Sequence, residues 1–590
     1  MLDGSTAPFL LNLSLSQMTF QYIGVDEWDN ALMGGPPTLD MIECYQVASE
    51  AAPRGSFSSS SPLLNAVSNM QVQTIVNSNQ HLPLSDPERD DCDWLGDGHL
   101  AAETAVTFLD AGAFYLRSLE VLGDVDAHCA RIAGNGSLYT IPYIVPADVN
   151  SGACQGYIAT RPGFEWMVAY AVFLDVLAVH YNSTRAIANS YAGVEMLVRS
   201  VQHLVDAEGG QLTANVWGDW ANQATGVTSD YCTCGILPPY VYKNDSSRPC
   251  SCQGTTTPNS MGGAWTSSFY HILATDALSR WAATLGDAAR AAEWASRRDV
   301  AGAAFGATFV KRDPSDGSWF VDSGTSECVR CMGAAAMALA APSAAVLNAT
   351  ARAGVCAHLA AAVEAKGGRL DTGVLSTRWL LPAMSSCGLW DAALGVLTST
   401  EVPSWGFWLA RGLTTTAEQW WEQGTPEVTG GALNHPMFAS SASWLVSGLC
   451  GLALADVMAA SPAAPFAIAP AVPAALDAAA AAVETARGRV AASWAQALGA
   501  PLSLWLNATV PPGAAARVVL PFPRAGAGAA APAVAVDEGG TPVFARGAFV
   551  PGVPGVAGAQ LVPPGAASPW WSVAVDVSGG GDYAFVARAE

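Results

Sequence analysis

Residues 84–97 read LSDPERDDCDWLGD and place six carboxylates and one Arg around a single Trp, Trp94, in a chain where only 13% of residues are charged. Like charges at this density repel each other, so the stretch is either a chemical site or a solvated acidic loop that could bind calcium. Carboxylates held close together can have their pKa values pushed apart, which lets one act as an acid and another as a base. The other segments of the chain have to distinguish these two interpretations.

The composition favours a large folded chain with an uncharged ligand. A chain of 590 residues is too long to fold around a single hydrophobic core, so several domains are expected. Hydrophobic residues make up 51% of the chain, and its mean hydropathy is +0.25. The net charge is −23, which argues against a nucleic acid or an anionic membrane as partner, because both require basic patches. The 20 Trp residues offer flat apolar faces that suit sugar rings, although a large core also uses Trp.

Cysteine pairs and glycosylation sequons favour a secretory compartment. The C-x-C pairs Cys232/Cys234 and Cys250/Cys252 lie in a polar segment, 228–260, that contains no His, so a disulfide-stapled loop is favoured over a zinc site. Sequons occur at Asn12, Asn135, Asn182, Asn244, Asn348 and Asn507, and a further Cys pair is Cys328/Cys331. Secretion is therefore expected, although the first 16 residues show no signal peptide. No uncharged apolar run of 18 residues occurs without Pro, so we predict no transmembrane helix.

The middle of the chain has helical periodicity. Residues 165–181 predict an apolar helix that ends at Asn182, and from Ile187 to Val205 the apolar residues are spaced 4, 3, 4, 3 and 4 apart. Further helices are predicted over 269–285 and 344–366, each followed by Gly. Paired helices over about 400 residues indicate a toroid of helical hairpins.

Both ends of the chain have strand-like composition instead. A predicted strand at 18–25, followed by Gly-Pro and Ser runs, indicates the end of an N-terminal β-domain. After about residue 460, Gly- and Pro-rich turns separate short strand-like runs, which predicts a small β-sandwich. These runs are 483–494, 502–510, 515–520 and 570–577. The predicted domains are thus 1–60 (end of an N-terminal β-sandwich), 61–460 (helical) and 461–590 (C-terminal β-sandwich).

Five segments resemble, in the right order, motifs of glycoside hydrolase family 78, the α-L-rhamnosidase type of six-hairpin glycosidase. They are LSDPERDDCDWLGDGH at 84–99, WGDW at 217–220, the stretch 367–397, PSWGFWLARGLTTTAEQWWE at 403–422 and LNHPMFASSASWL at 433–445. The resemblance implies an (α/α)6 barrel with a C-terminal antiparallel β-sandwich. It also implies β-sandwich domains before the barrel, of which 1–60 would be a remnant.

The same resemblance implies an inverting glycosidase site. The general acid of the family falls on Asp90 and the general base on Glu418. Residues that contact or surround the sugar fall on Asp86, Arg89, Trp94, Asp97, Trp220 and His435. The expected partner is a carbohydrate, and neither a cofactor nor a metal ion is implied. The oligomeric state stays open.

This chain departs from the family pattern at two positions of the site. Asp90 is one methylene shorter than the Glu of the family, and Asp91 and Asp93 are nearby rivals for its role. Ala417 stands where the family has a Trp beside the base. The expected function is exo-acting, inverting hydrolysis of terminal α-L-rhamnosyl or similar deoxysugar residues. The alternatives are a carbohydrate-binding protein that has lost its acid, and a six-hairpin glycosidase of another sugar specificity.

Overall fold

The computed structural model describes residues 30–36, 38, 48–49, 51–87, 92–133, 141–145, 163–213, 218–219, 264–322, 332–418, 420, 432–454, 465–497, 503–522, 531–564 and 570–589. The predicted strand at 18–25 and all three close Cys pairs lie outside these residues. A disulfide that the sequence analysis did not foresee joins Cys356 to Cys387.

The described part of the chain is mainly helical up to residue 449. The helices are α1 (Asn30–Met33), α2 (Pro62–Ser78), α3 (Leu95–Phe108), α4 (Gly112–Ala133), α5 (Phe164–Met167), α6 (Ala169–Tyr181), α7 (Thr184–Ser200), α8 (Gln202–Ala207), α9 (Ala264–Thr284), α10 (Ala288–Phe309), α11 (Met332–Ala340), α12 (Ala349–Ala365), α13 (Val374–Ser386), α14 (Trp390–Thr398), α15 (Trp405–Ala410) and α16 (Ala442–Trp444). A 3₁₀ turn, Pro436–Ala439, precedes α16, and a π turn, Leu445–Leu449, follows it.

The helices form an inner layer and an outer layer. The inner helices α3, α6, α9 and α11 are buried over most of their length. For α6 and α11 this follows from a sequence that is apolar on nearly all sides. Outer helices such as α7 bury one stripe, here Ile187, Tyr191, Val194 and Val198, against that layer. Antiparallel neighbours such as α9 and α10 pack along their length, which is the hairpin arrangement that the periodicity predicts.

Caps set the helix ends, and they confirm one predicted boundary and correct another. Asn182 takes a left-handed conformation with φ of 50°, and Ser183 then caps α7, so the predicted break is confirmed. The helix predicted over 344–366 begins only at Ala349, because the Asn348 side chain accepts the N–H of Ala351. The segment Phe164–Tyr181 is long and apolar enough to cross a membrane, but 78% of it is buried inside the protein, as in a core helix.

The residues after 465, together with 55–59, form two sheets. Their strands are β1 (Gly55–Ser59), β6 (Phe466–Ile468), β7 (Ala478–Thr485), β8 (Gly488–Ala497), β9 (Ser503–Val510), β10 (Ala516–Pro521), β11 (Val534–Glu538), β12 (Thr541–Ala545), β13 (Ala548–Phe549), β14 (Val556–Val562), β15 (Ser572–Val577) and β16 (Gly581–Ala589). An eight-stranded sheet has the order β1-β7-β8-β9-β16-β11-β12-β13, and a four-stranded sheet has the order β14-β15-β10-β6. Neighbouring strands are antiparallel except β6 and β10, which are parallel. Shorter ladders in the helical region pair β2 (Asp93–Trp94) with β3 (Ile144–Val145), and β4 (Val310–Arg312) with β5 (Trp319–Val321).

Two strands differ from the sequence prediction. The run 483–494 is not one strand but the two arms of a hairpin, β7 and β8, which turn at residues 486–487. Strand β1 lies within the predicted N-terminal segment, yet it pairs with β7, with Phe57 opposite Ala481. Residues 55–59 therefore extend the eight-stranded sheet. The predicted domain limits at residues 60 and 460 stay a prediction.

Candidate active site

The acidic stretch connects α2 to α3, and backbone hydrogen bonds hold its two ends together. Leu84 donates its N–H to the Ser78 carbonyl at 2.9 Å, and Ser85 donates to the Cys92 carbonyl at 3.0 Å. Residues 88–91 lie outside the described part of the chain, and with them the predicted acid Asp90 and the predicted sugar contact Arg89.

The described carboxylates of this stretch are buried, which contradicts the solvated-loop interpretation for them. The exposed fractions are 0% for Asp86, 2% for Asp93 and 4% for Asp97. Buried carboxylates are costly unless they are paired or hydrogen-bonded, so the protein holds them for a specific contact. Within the described ranges, no group of three His, Cys, Asp or Glu side chains is arranged to hold a metal ion.

Asp97 and His435, predicted separately from distant segments, meet in the structure. Asp97 lies in the first turn of α3, where the helix dipole favours a carboxylate. Its Oδ1 atom is 3.2 Å from Nε2 of His435, and both side chains are almost fully buried. His435 directly precedes the 3₁₀ turn Pro436–Ala439, so the end of the helical region is joined to the start of α3.

The Glu418 segment lies antiparallel to the segment that carries His435. Glu418 donates its backbone N–H to the Ala432 carbonyl at 3.0 Å, and its Oε2 atom accepts the Ala432 N–H at 3.1 Å. Two residues earlier, the Thr416 carbonyl accepts the His435 N–H at 2.7 Å. The Glu418 side chain is 7% exposed, so its carboxylate is held by the backbone in a nearly dry environment. The structure thus places the predicted base and the Asp97–His435 pair in one region.

Helix α2 positions the base segment through polar side chains that sequence reasoning missed. Thr74 accepts the N–H of Thr416 at 2.8 Å and donates its hydroxyl to the Met70 carbonyl. The Thr416 hydroxyl in turn donates to the His435 carbonyl at 2.7 Å. Asn434 donates to the Ser78 hydroxyl at 3.0 Å. A Thr inside an amphipathic helix carries no sequence signal for such a role, whereas Asn434 belongs to a matched motif.

We expect Thr74→Val to lower the free energy of unfolding by about 2 kcal/mol, because it leaves the Thr416 N–H buried without an acceptor. Hydrogen exchange at the Thr416 amide should become faster than in the wild type, and urea unfolding measures the stability. Thr74→Ser keeps the hydroxyl and serves as the control. Equal stability and equal exchange in Thr74→Val would show that the bond does not hold the segment.

Asp219, in the WGDW segment, is a helix cap. Its carboxylate accepts the N–H groups of Gly373 at 2.8 Å and Ser376 at 3.0 Å, at the start of α13. Burial raises the pKa of Asp219 to about 6, against the lowering effect of these hydrogen bonds. A Cβ at Gly373 would lie 2.2 Å from the Asp219 carbonyl oxygen, so only Gly fits there. Trp217 and the predicted sugar contact Trp220 lie outside the described residues.

Glu165 is a further buried carboxylate of the helical region. It lies in the first turn of α5 and is completely buried. Its Oε2 accepts the Ser267 hydroxyl at 2.7 Å, and its backbone carbonyl is 2.9 Å from Nε2 of His99, two residues along α3 from Asp97. Burial lowers the pKa of His99 to about 3, so this imidazole stays neutral. The sequence analysis did not predict Ser267 or His99 at this place.

The aromatic residues of the motifs have different surroundings. Trp94 is half-buried on β2, and Trp166 packs so closely against Gly96 that a Cβ there would lie 2.1 Å from the indole. Trp420 is buried and stacks on Trp408, with ring centroids 3.7 Å apart. Trp420 is therefore part of the core, whereas Trp94 remains partly accessible.

The comparisons with known proteins agree with this architecture. Residues 52–449 match the bacterial alpha-L-rhamnosidase 6 hairpin glycosidase domain, and residues 465–530 match the bacterial alpha-L-rhamnosidase C-terminal domain. An alpha-L-rhamnosidase of Formosa agariphila is 24% identical over 417 residues, which are 70% of this chain and 39% of that protein. One of Streptomyces avermitilis is 35% identical over 102 residues, 16% of this chain and 10% of that protein.

Solved structures with the same fold are also rhamnosidases. The alpha-L-rhamnosidase from Dictyoglumus thermophilum superposes with a TM-score of 0.70 at 20% identity, over 94% of this chain and 52% of that one. The Streptomyces avermitilis enzyme complexed with L-rhamnose superposes with a TM-score of 0.64 at 22% identity, over 91% of this chain and 42% of that one. The chain thus spans about half or less of the length of these relatives. The predicted six-hairpin barrel with its C-terminal β-sandwich is confirmed, and the chain belongs to the bacterial alpha-L-rhamnosidase family of six-hairpin glycosidases.

Proposed function

We propose that the protein is an exo-acting, inverting glycosidase that hydrolyses terminal α-L-rhamnosyl residues. The observation that carries the proposal is the buried Glu418 carboxylate, held by the Ala432 N–H at 3.1 Å on a segment whose backbone bonds to that of His435, the partner of Asp97. A fixed carboxylate in a water-poor site is what a general base requires, because its geometry is set before the substrate arrives.

In the proposed reaction, Glu418 takes a proton from a water molecule as that water attacks the anomeric carbon. Asp90 donates its proton to the glycosidic oxygen, which leaves with the aglycone. Water enters on the face opposite the departing group, so an α-linked sugar is released as its β-anomer. Asp90 is shorter than the Glu of the family, so its place relative to the leaving oxygen depends on the loop that carries it.

The sugar would be oriented by the polar groups beside the base. The Asp97–His435 pair offers a carboxylate and an imidazole to sugar hydroxyls, and Asp86 offers a second buried carboxylate. We infer that Arg89, Trp94 and Trp220 complete this surface. The Streptomyces avermitilis relative was solved with L-rhamnose bound, which supports the same sugar for this site.

The proposal is tested with a panel of 4-nitrophenyl glycosides and by NMR of the first product. We expect release of 4-nitrophenol from the α-L-rhamnoside, with β-L-rhamnose appearing before mutarotation. Asp90→Asn should abolish this release on the aryl rhamnoside. First appearance of α-L-rhamnose would contradict the inverting mechanism, and no turnover of any aryl glycoside would contradict the proposed activity.

Asp90 stands where the family has a Glu, and this difference favours one alternative function, a carbohydrate-binding protein on the same fold. That alternative predicts rhamnose binding without hydrolysis by the wild type, and a gain of activity in Asp90→Glu. Calorimetry with L-rhamnose, run beside the kinetic assay on both proteins, separates the two functions.

A further inference from the structure

We propose that the open face of the eight-stranded sheet binds a chain of a neutral polysaccharide. Two adjoining hollows of about 550 Å³ and about 410 Å³ lie on this face and share Ser58, Ala480, Ser493 and Asn507. Volumes of this size are typical of ligand sites. We call the combined depression the sheet groove.

The strand register explains the shape of the sheet groove. Pairing aligns three rows of side chains on the outer face of β1, β7, β8, β9 and β16. They are Ala478-Ala495-Trp505-Val586, Ser58-Ala480-Ser493-Asn507-Ala584 and Ser56-Ala482-Ala491-Thr509-Asp582. Most of these side chains are Ala or Ser, so the floor is low, and at about 4.8 Å per strand it extends about 19 Å. That length suits an extended polymer better than a compact metabolite.

One large apolar surface projects from this floor. Trp505 is 41% exposed, and it is the only aromatic residue among the exposed large hydrophobic side chains of the described chain. A solvent-facing indole costs hydration free energy unless something covers it, and its flat face matches the C–H face of a pyranose ring. Two residues further along β9, and thus on the same face, Asn507 is also exposed and contacts the Ser493 hydroxyl at 3.2 Å.

The charges around the sheet groove favour a neutral glycan over an acidic one. Arg489 is the one basic residue among the described groove-lining residues, and it pairs with Glu484 at 3.1 Å. Asp582 and Glu538 also line the groove, so the local charge is negative, as is the net charge of −23. A uronate chain would be repelled, whereas hydroxyl groups can bond to the Ser, Asn and Thr side chains.

The small and polar side chains that line the sheet groove argue against a protein partner. Stable protein interfaces have a core of several large apolar side chains, and Trp505 is the one exposed side chain of that kind in the described groove. A glycan needs a single aromatic platform and many hydrogen-bonding groups instead. The choice of a glycan over other neutral polymers rests on the proposed glycosidase function.

The test measures the retardation of the full chain in native gels that contain soluble polysaccharides. The neutral panel is arabinogalactan, galactan, xyloglucan and mixed-linkage β-glucan, and polygalacturonate is the acidic comparison. Protein from a bacterial host carries no glycan on the Asn507 sequon, and excess L-rhamnose in every gel occupies the barrel site. We expect retardation by at least one neutral polysaccharide and none by polygalacturonate.

Two groove variants and one control locate the binding. Trp505→Ala should raise the dissociation constant about tenfold. Ala584→Gln, at an exposed floor position, should weaken binding by obstruction without disturbing the core. Met196→Ala removes an exposed apolar side chain on α7 and should bind as the wild type does. All four proteins should have the same activity on the aryl rhamnoside.

The proposal is overturned if no neutral polysaccharide retards the wild type, if Trp505→Ala binds equally well, or if polygalacturonate binds more tightly. A dimer in sedimentation that Ala584→Gln converts to a monomer would show that a second copy covers the face. Activity on the aryl rhamnoside is scored separately. A protein that binds polysaccharide through Trp505 but hydrolyses no glycoside would refute the proposed function and leave this inference standing.

Discussion

Glu418→Gln is expected to lower kcat on 4-nitrophenyl α-L-rhamnoside by about 10³-fold, within the range that a general base contributes. Gln has the same shape as Glu, and its amide oxygen can still accept the Ala432 N–H that Glu418 Oε2 accepts at 3.1 Å. The loss should therefore come from the missing proton acceptor and not from unfolding. The free energy of unfolding and the affinity for L-rhamnose should change little.

The matched control for this prediction is Glu401→Gln, an exposed Glu in the same part of the chain. It removes one carboxylate without touching the site, so its kcat should equal that of the wild type. Steady-state kinetics and calorimetry with L-rhamnose are the measurements. If Glu418→Gln keeps kcat within threefold of the wild type, Glu418 is not the base.

The second large effect is expected from His271, which makes the fold sensitive to acid. His271 lies in the middle of α9 and is 1% exposed, and neither of its ring nitrogens has a hydrogen-bond partner in the described structure. Burial, and to a smaller extent the charge of Arg297, lowers the pKa of His271 to about 4. The unfolded chain binds a proton at the ordinary pKa of about 6.5.

Between these pKa values the unfolded state carries the extra proton, so stability falls as the pH decreases from about 6.5 to about 4. This histidine alone should remove about 2 kcal/mol of unfolding free energy between pH 7 and pH 5. Urea unfolding of His271→Phe should therefore show a loss of unfolding free energy between pH 7 and pH 5 that is about 2 kcal/mol smaller than the loss in the wild type. Buried carboxyls such as Asp219 and Asp371, whose pKa values are raised to about 6, act in the opposite direction and cancel in the difference.

His203→Asn removes an exposed imidazole on α8 and is the control for the acid experiment. Its unfolding free energy should keep the pH dependence of the wild type. Identical pH dependence in His271→Phe and the wild type would mean that the buried imidazole takes up its proton as easily as in the unfolded chain.

Local patterns in the sequence predicted the helical hairpins and the C-terminal sandwich, and the family resemblance of the motifs implied the six-hairpin barrel. The spacing of 4, 3, 4, 3 and 4 from Ile187 to Val205 identifies an apolar helical face, which α7 and α8 share, and Asn182 identifies where α7 starts, because periodicity and caps act within a few residues. Of the residues that the motifs singled out, the structure brings Asp97 and His435 into contact, and it places Glu418 on a segment whose backbone pairs with that of His435. The limits of the strands could not be predicted precisely from the sequence. The Ala-rich run at 478–482, for example, is compatible with either a helix or a strand.

The sequence by itself determined the family, the helical barrel, the C-terminal sandwich and the candidate residues of the site. Only the tertiary structure decided that Asp97 bonds to His435, that Thr74 supports the Glu418 segment, and that β1 joins a sheet more than 400 residues away. The physical reason is that these contacts join positions far apart in the chain, and the hydroxyl of Thr74 or the ring of Trp505 has no local pattern that marks its partner. Long-range packing selects which polar groups are buried together, and no short-range propensity encodes that choice.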